Sequence, residues 1–117
     1  MNELATKKCV PCEGGVKPIP VKEAKKMLSK VPGWKLAAGG KALRLELSML
    51  DFPAALEFIH EVAQTAESEG HHPDLHLTGY RNLAIELSTH AIGGLSMNDF
   101  ILAAKIDALP RKLKTGK

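Results

Sequence analysis

Aromatic side chains make up only 4% of this 117-residue chain: one Trp, one Tyr and three Phe. Aliphatic residues must do most of the packing, and a small core of that kind commonly gains stability by oligomerising. Cysteine is scarcer still, with Cys9 and Cys12 forming a lone Cys-Val-Pro-Cys in a Pro- and Gly-rich stretch. A structural zinc site normally takes four ligands, and the chain holds no second pair. Reduced thiols on an arm are expected there, with an intersubunit metal or a labile disulfide as alternatives. No apolar run approaches the ~20 residues that span a bilayer. The opening Met-Asn-Glu-Leu lacks the basic-then-apolar layout of a signal peptide, so a cytoplasmic protein is expected. Gly14-Gly15, Gly39-Gly40 and Gly93-Gly94 lack the spacing and following Lys of a phosphate-binding loop. The net charge is only +3, and Arg111, Lys112, Lys114 and Lys117 supply much of it from the C-terminus. That reads as a solvated basic tail, and a nucleic-acid partner is not expected.

What is present organises into one small domain. Residues 1–18 read as a flexible arm, 19–110 as the folded domain and 111–117 as the tail. Val21, Ala24, Leu28 and Val31 recur at helical spacing until Pro32-Gly33. A short strand from Trp34 to Ala37 turns at Gly39-Gly40 into Leu43, Leu45, Leu47 and Met49, whose alternation with polar residues marks a half-buried strand. Asp51 can cap a second helix with Leu56, Ile59, Val62, Ala63 and Ala66 as its apolar stripe and Gly70 as its C-terminal cap. Two further strands follow, around Leu75–Leu77 and Leu83–Leu87. Ser96, with Asp99 three residues on, signals a capping box for a last helix, Met97–Leu109. The order α-β-β-α-β-β-α predicts an α+β fold, a four-stranded antiparallel sheet with helices packed on one face.

The chemistry concentrates in Glu67-Ser68-Glu69-Gly70-His71-His72-Pro73, and then in Ser88-Thr89-His90 and Asp99. Histidine is the side chain suited to give and take protons near neutral pH. His71 and His72 follow a helix C-terminus, whose carbonyls favour an imidazolium, and Glu67, one helical turn before His71, acts in the same sense. A histidine there can equally be a plain helix cap. Pro73 restrains the backbone of His72, so that one ring can face a pocket while its neighbour points elsewhere. Leu83, Ile85 and Leu87 share a face, which puts Ser88 and His90 on the other and lets His90 meet the histidine pair across strands. No metal is expected, because adjacent histidines rarely reach one ion and no His-x-x-x-His pair lies on a helix.

From Glu67 to Asp107 the chain resembles the pterin-4a-carbinolamine dehydratases, also called 4a-hydroxytetrahydrobiopterin dehydratases. The family pattern of acid, His-His-Pro, aromatic, histidine and acid is matched by Glu67, His71, His72, Pro73, Tyr80, His90 and Asp99. The element order extends the likeness over roughly Val21 to Leu109. Two departures stand out: Asp74-Leu75 replaces an aromatic of many members, and Leu77 to Tyr80 is one residue longer than in the animal enzymes. The resemblance implies loss of water from a tetrahydropterin hydroxylated at C4a, giving a quinonoid dihydropterin and recycling the pterin for an aromatic amino-acid hydroxylase. It implies no cofactor, catalysis by His71, His72 and His90, and a substrate pocket lined by Gly70, His71, His72, Ser88, Thr89, His90 and Ala91. Glu67, Pro73 and Asp99 would be supporting residues, with helix capping as an equal reading for Asp99. Which histidine is acid and which is base stays open. The resemblance also implies a homodimer or homotetramer. Its alternative is a binding module on the same fold, either a transcriptional dimerisation cofactor or an enzyme-assembly chaperone.

Overall fold

The computed structural model describes residues 3–7 and 17–114. Cys9 and Cys12 lie outside the described residues. Three helices, α1 (Val21–Met27), α2 (Phe52–Glu69) and α3 (Met97–Asp107), accompany four strands. The strands are β1 (Lys35–Ala37), β2 (Ala42–Ser48), β3 (Asp74–Thr78) and β4 (Asn82–Leu87). All neighbours pair antiparallel in the order β1-β2-β4-β3, so the fold is α+β as expected. The register sets Leu43 against Leu87, Leu45 against Ile85 and Leu47 against Leu83. Because side chains alternate along a strand, these pairs form one apolar face. Phe58 and Val62 of α2 and Phe100 of α3 share a single buried cluster with that face. The opposite face carries Arg44, whose guanidinium bonds Glu46 and Glu86.

Three segments depart from the expectations. First, the buried stripe of α2 is Ala55, Phe58, Val62 and Ala66, whereas Leu56 and Ala63 face outward with Phe52. The helix carries two apolar stripes, and periodicity alone does not say which one meets the sheet. Second, part of the N-terminal arm is docked. Leu4 is buried in the core and Lys105 Nζ donates to the Ala5 carbonyl at 2.9 Å, since an apolar residue there can cover α3. Third, the described part of the basic tail is tied down. Leu50 N–H bonds the Lys112 carbonyl at 2.9 Å, and Met49 and Leu113 form an antiparallel bridge. Arg111 donates to the Ile106 carbonyl at 2.6 Å, and its guanidinium lies 4.7 Å from the Phe58 ring centre, so its charge caps α3. Among the described residues no helix is long and apolar enough to cross a membrane.

Candidate active site

Gly70 decides where the two histidines go. It ends α2 in the left-handed region at φ 66°, a conformation strained for residues with a Cβ. Gly70 N–H bonds the Glu67 carbonyl at 3.2 Å and His71 N–H bonds the Ala66 carbonyl at 3.3 Å. Those two bonds make a Schellman ending, which reverses the chain and places His71 over the last turn of α2.

His71 turns inward. Its Nε2 lies 2.6 Å from Asp99 Oδ1, with the histidine side chain 13% and the carboxylate 0% exposed. His72 turns outward, and its Nε2 meets Glu67 Oε1 at 2.9 Å with both side chains mostly in solvent. Glu67 therefore serves His72 rather than His71, because the turn at Gly70 breaks the helical spacing that would have paired it with His71. Adjacent residues thus hold separate carboxylate partners, one dry and one wet.

Asp99 is the hub of the dry partnership. It sits at the third position of α3 and forms a reciprocal capping box with Ser96. Its Oδ2 accepts from Ser96 N–H at 2.9 Å and from the Thr89 hydroxyl at 2.8 Å. Capping and holding a histidine, posed as alternatives for Asp99, are done together by its two oxygens. The positive end of α3 adds to this setting for an anion.

Thr89, named with the substrate-lining residues, points its side chain away from any surface. It is 4% exposed and bonds Asp99 and, at 2.7 Å, Ser96 Oγ. Thr89 N–H also bonds the Gly94 carbonyl at 2.8 Å, closing a loop that presents His90 and Ala91 to solvent. His90 is exposed and opens a 3-10 turn, His90–Ile92, past the end of β4 at Leu87, so strand alternation does not place it; it lies one residue from the Asp99 network. Among the described residues no direct bond joins its ring to His71 or His72. Ser88 is half-buried beside Thr89, and Pro73 leads from His72 into β3. Tyr80 is at the other end of the β3–β4 hairpin, a strand's length (about 16 Å) from the histidines. It is exposed, with the Arg81 guanidinium 5.4 Å from its ring centre. The capping box was legible as Ser-x-x-Asp, but nothing local marks Thr89 as its third member. Among the described residues no three His, Cys, Asp or Glu side chains are grouped to hold a metal ion.

A family model described as pterin 4 alpha carbinolamine dehydratase matches residues 17–109. The chain belongs to that family. It is 50% identical over 125 aligned positions to "Pterin-4-alpha-carbinolamine dehydratase 2, mitochondrial" of Arabidopsis thaliana, covering 100% of this chain and 67% of the relative. A relative from Azoarcus sp. (strain BH72) bearing the dehydratase family name is 43% identical over 109 positions, covering 93% of this chain and 92% of its own. The crystal structure of a transcriptional coactivator/pterin dehydratase from Brucella Melitensis matches with TM-score 0.72 at 27% identity, covering 79% of this chain and 97% of that one. The dehydratase family therefore supplies both the fold and the frame in which the histidine–carboxylate pairs are read.

Proposed function

We propose that this chain dehydrates a 4a-hydroxytetrahydropterin to the quinonoid dihydropterin by histidine acid–base catalysis, recycling the pterin for an aromatic amino-acid hydroxylase. The reaction needs a proton delivered to the departing C4a hydroxyl and a proton removed from the pterin ring, so that water leaves. The observation that carries the reading is the buried His71–Asp99 pair beside the exposed His72. A histidine backed by a carboxylate at one ring nitrogen can accept or deliver a proton at the other, with the imidazolium stabilised and the ring held in orientation. His72 and His90, both exposed, are proposed to complete the proton transfers from the solvent side. Gly70 and the loop from Ser88 to Ala91 are proposed to contact the substrate largely through backbone groups. The scheme uses no cofactor.

A homodimer or homotetramer belongs to the same proposal, supported by the outward apolar stripe Phe52, Leu56 and Ala63 on α2 and by the aromatic-poor core. That stripe, together with the coactivator named for the Brucella Melitensis structure, also favours a second reading as a binding module on the same fold. A cytoplasmic setting is proposed, and since the Arabidopsis thaliana relative is named mitochondrial, cell fractionation decides the compartment.

The test follows the loss of freshly generated 4a-hydroxytetrahydropterin by absorbance, for wild type and a His72→Ala/His90→Ala variant. Fast loss that collapses in the variant is expected. A wild-type rate equal to buffer alone would leave the binding-module reading in its place.

A further inference from the structure

The buried cluster around Asp99 contains more order than the pair itself requires, because its donors run one way. A carboxylate only accepts, so the single hydroxyl proton of Thr89 is committed to Asp99 Oδ2, 2.8 Å away. Thr89 Oγ1 must then act as acceptor toward Ser96 Oγ, 2.7 Å away, which makes Ser96 the donor of that bond. Ser96 also gives its backbone N–H to Oδ2 at 2.9 Å. Oδ2 is thereby occupied by two donors, and Oδ1 is left for His71 Nε2 at 2.6 Å. All of this happens out of water: Thr89 is 4%, Ser96 7% and Asp99 0% exposed.

We propose that Thr89 and Ser96 are positioning residues of the dehydration site. Their hydroxyls hold Asp99 as an acceptor, fix His71 with its proton on Nε2, and leave Nδ1 as the nitrogen that exchanges protons with a ligand. The role of Nδ1 in turnover rests on the dehydratase reading above; the tautomer control does not. Outer hydrogen bonds behind metal-bound histidines alter activity by about 10–100-fold when removed, although they touch no substrate, and a loss of the same order is expected here. The arrangement also links the start of α3 to the end of α2, since one carboxylate caps the first and holds the histidine that follows the second.

Two readouts separate tautomer control from catalysis. Imidazole ¹⁵N NMR reports the protonated nitrogen of His71 whether or not the protein turns over pterin. Steady-state dehydration reports kcat and KM. Thr89→Val keeps the side-chain shape and removes the hydroxyl, and Thr89→Ser restores it. The expected result for Thr89→Val is a mixed His71 tautomer and a kcat down by about 10–100-fold with KM within about twofold. Thr89→Ser should return both signals toward wild type. Should Thr89→Val fail to fold, Ser96→Gly removes the donor to Thr89 while keeping a residue that N-cap positions accept. It should shift the tautomer in the same sense. A wild-type His71 protonated on Nδ1, or a tautomer unmoved in both variants, overturns the proposal. A kcat loss with the tautomer unmoved also overturns it, and assigns the Thr89 hydroxyl to the substrate. A tautomer shift in a protein without dehydratase activity supports the positioning and removes the dehydratase reading alone.

Discussion

The two ends of α3 each carry a carboxylate, Asp99 fully buried and Asp107 half-buried, and they are treated in opposite ways. Asp99, in the first turn, has both oxygens satisfied by His71, Thr89 and Ser96 and sits at the positive end of the helix. Asp107 is the last residue of α3, at the negative end. Trp34 Nε1 donates to its Oδ1 at 2.9 Å, but among the described residues its buried Oδ2 has no hydrogen-bond partner. Burial holds the Asp107 carboxyl above its usual value, against the pull of the Trp34 bond and the Arg111 charge. One helix thus shows a buried acid with both oxygens bonded and a half-buried acid with one oxygen left over among the described residues. The surplus of donors sets the end of α3 that the proposed site uses apart from the other.

The largest effect should come from deleting the satisfied carboxylate. Asp99→Ala leaves the Ser96 N–H, the Thr89 hydroxyl and His71 without an acceptor in a dry site. A loss of about 3 kcal/mol or more in urea unfolding is expected. Gly70→Ala should come next, at about 1 kcal/mol, because alanine is strained at φ 66° in the turn that delivers His71 to Asp99.

Asp107→Asn tests the other end and should act in the opposite sense. In the pH window between 3.8 and the raised native value, the native state keeps a proton on Asp107 that the unfolded chain has already released. This stabilising contribution is full below the ordinary value of 3.8 and is lost as pH rises through the raised native one. Asparagine keeps an acceptor for Trp34 and removes the titration. The melting temperature of the variant relative to wild type should therefore rise with pH from about pH 4 upward. A difference independent of pH would show that Asp107 carries no native-state shift. The smallest effect belongs to the wet pair: Glu67→Gln should change stability by no more than about 0.5 kcal/mol, because the His72–Glu67 contact is solvated on both sides.

Local signals carried much of this architecture. The alternation of Leu43, Leu45 and Leu47 and of Leu83, Ile85 and Leu87 needs only period two, so both central strands were legible. Asp51, Gly70 and the Ser96–Asp99 box mark helix ends by chemistry that acts within four residues. His71, His72 and His90 stand out by their place beside chain-turning residues, but their catalytic roles come from the family resemblance rather than from that placement. What stayed hidden depends on contacts between distant segments. The partner exchange at Gly70, where His71 finds Asp99 and Glu67 finds His72, follows from a left-handed turn whose outcome depends on where α3 packs. Thr89 carries no signal because its partners arrive seven and ten residues later through a closed loop. On α2 the periodicity places Val62 and Ala66 in the core as found, but it groups Leu56 and Ala63 with them, because adjoining apolar stripes on one helix are indistinguishable until a sheet covers one of them.

The central claim is that the well-served carboxylate, through His71, is part of the dehydration machinery. The most direct test compares single-turnover loss of 4a-hydroxytetrahydropterin in Asp99→Asn and Asp107→Asn, each shown folded by circular dichroism. The account predicts a fall of about 100-fold or more for Asp99→Asn, which mismatches the acceptor behind His71, and a change within about twofold for Asp107→Asn. Equal rates in the two variants would contradict it.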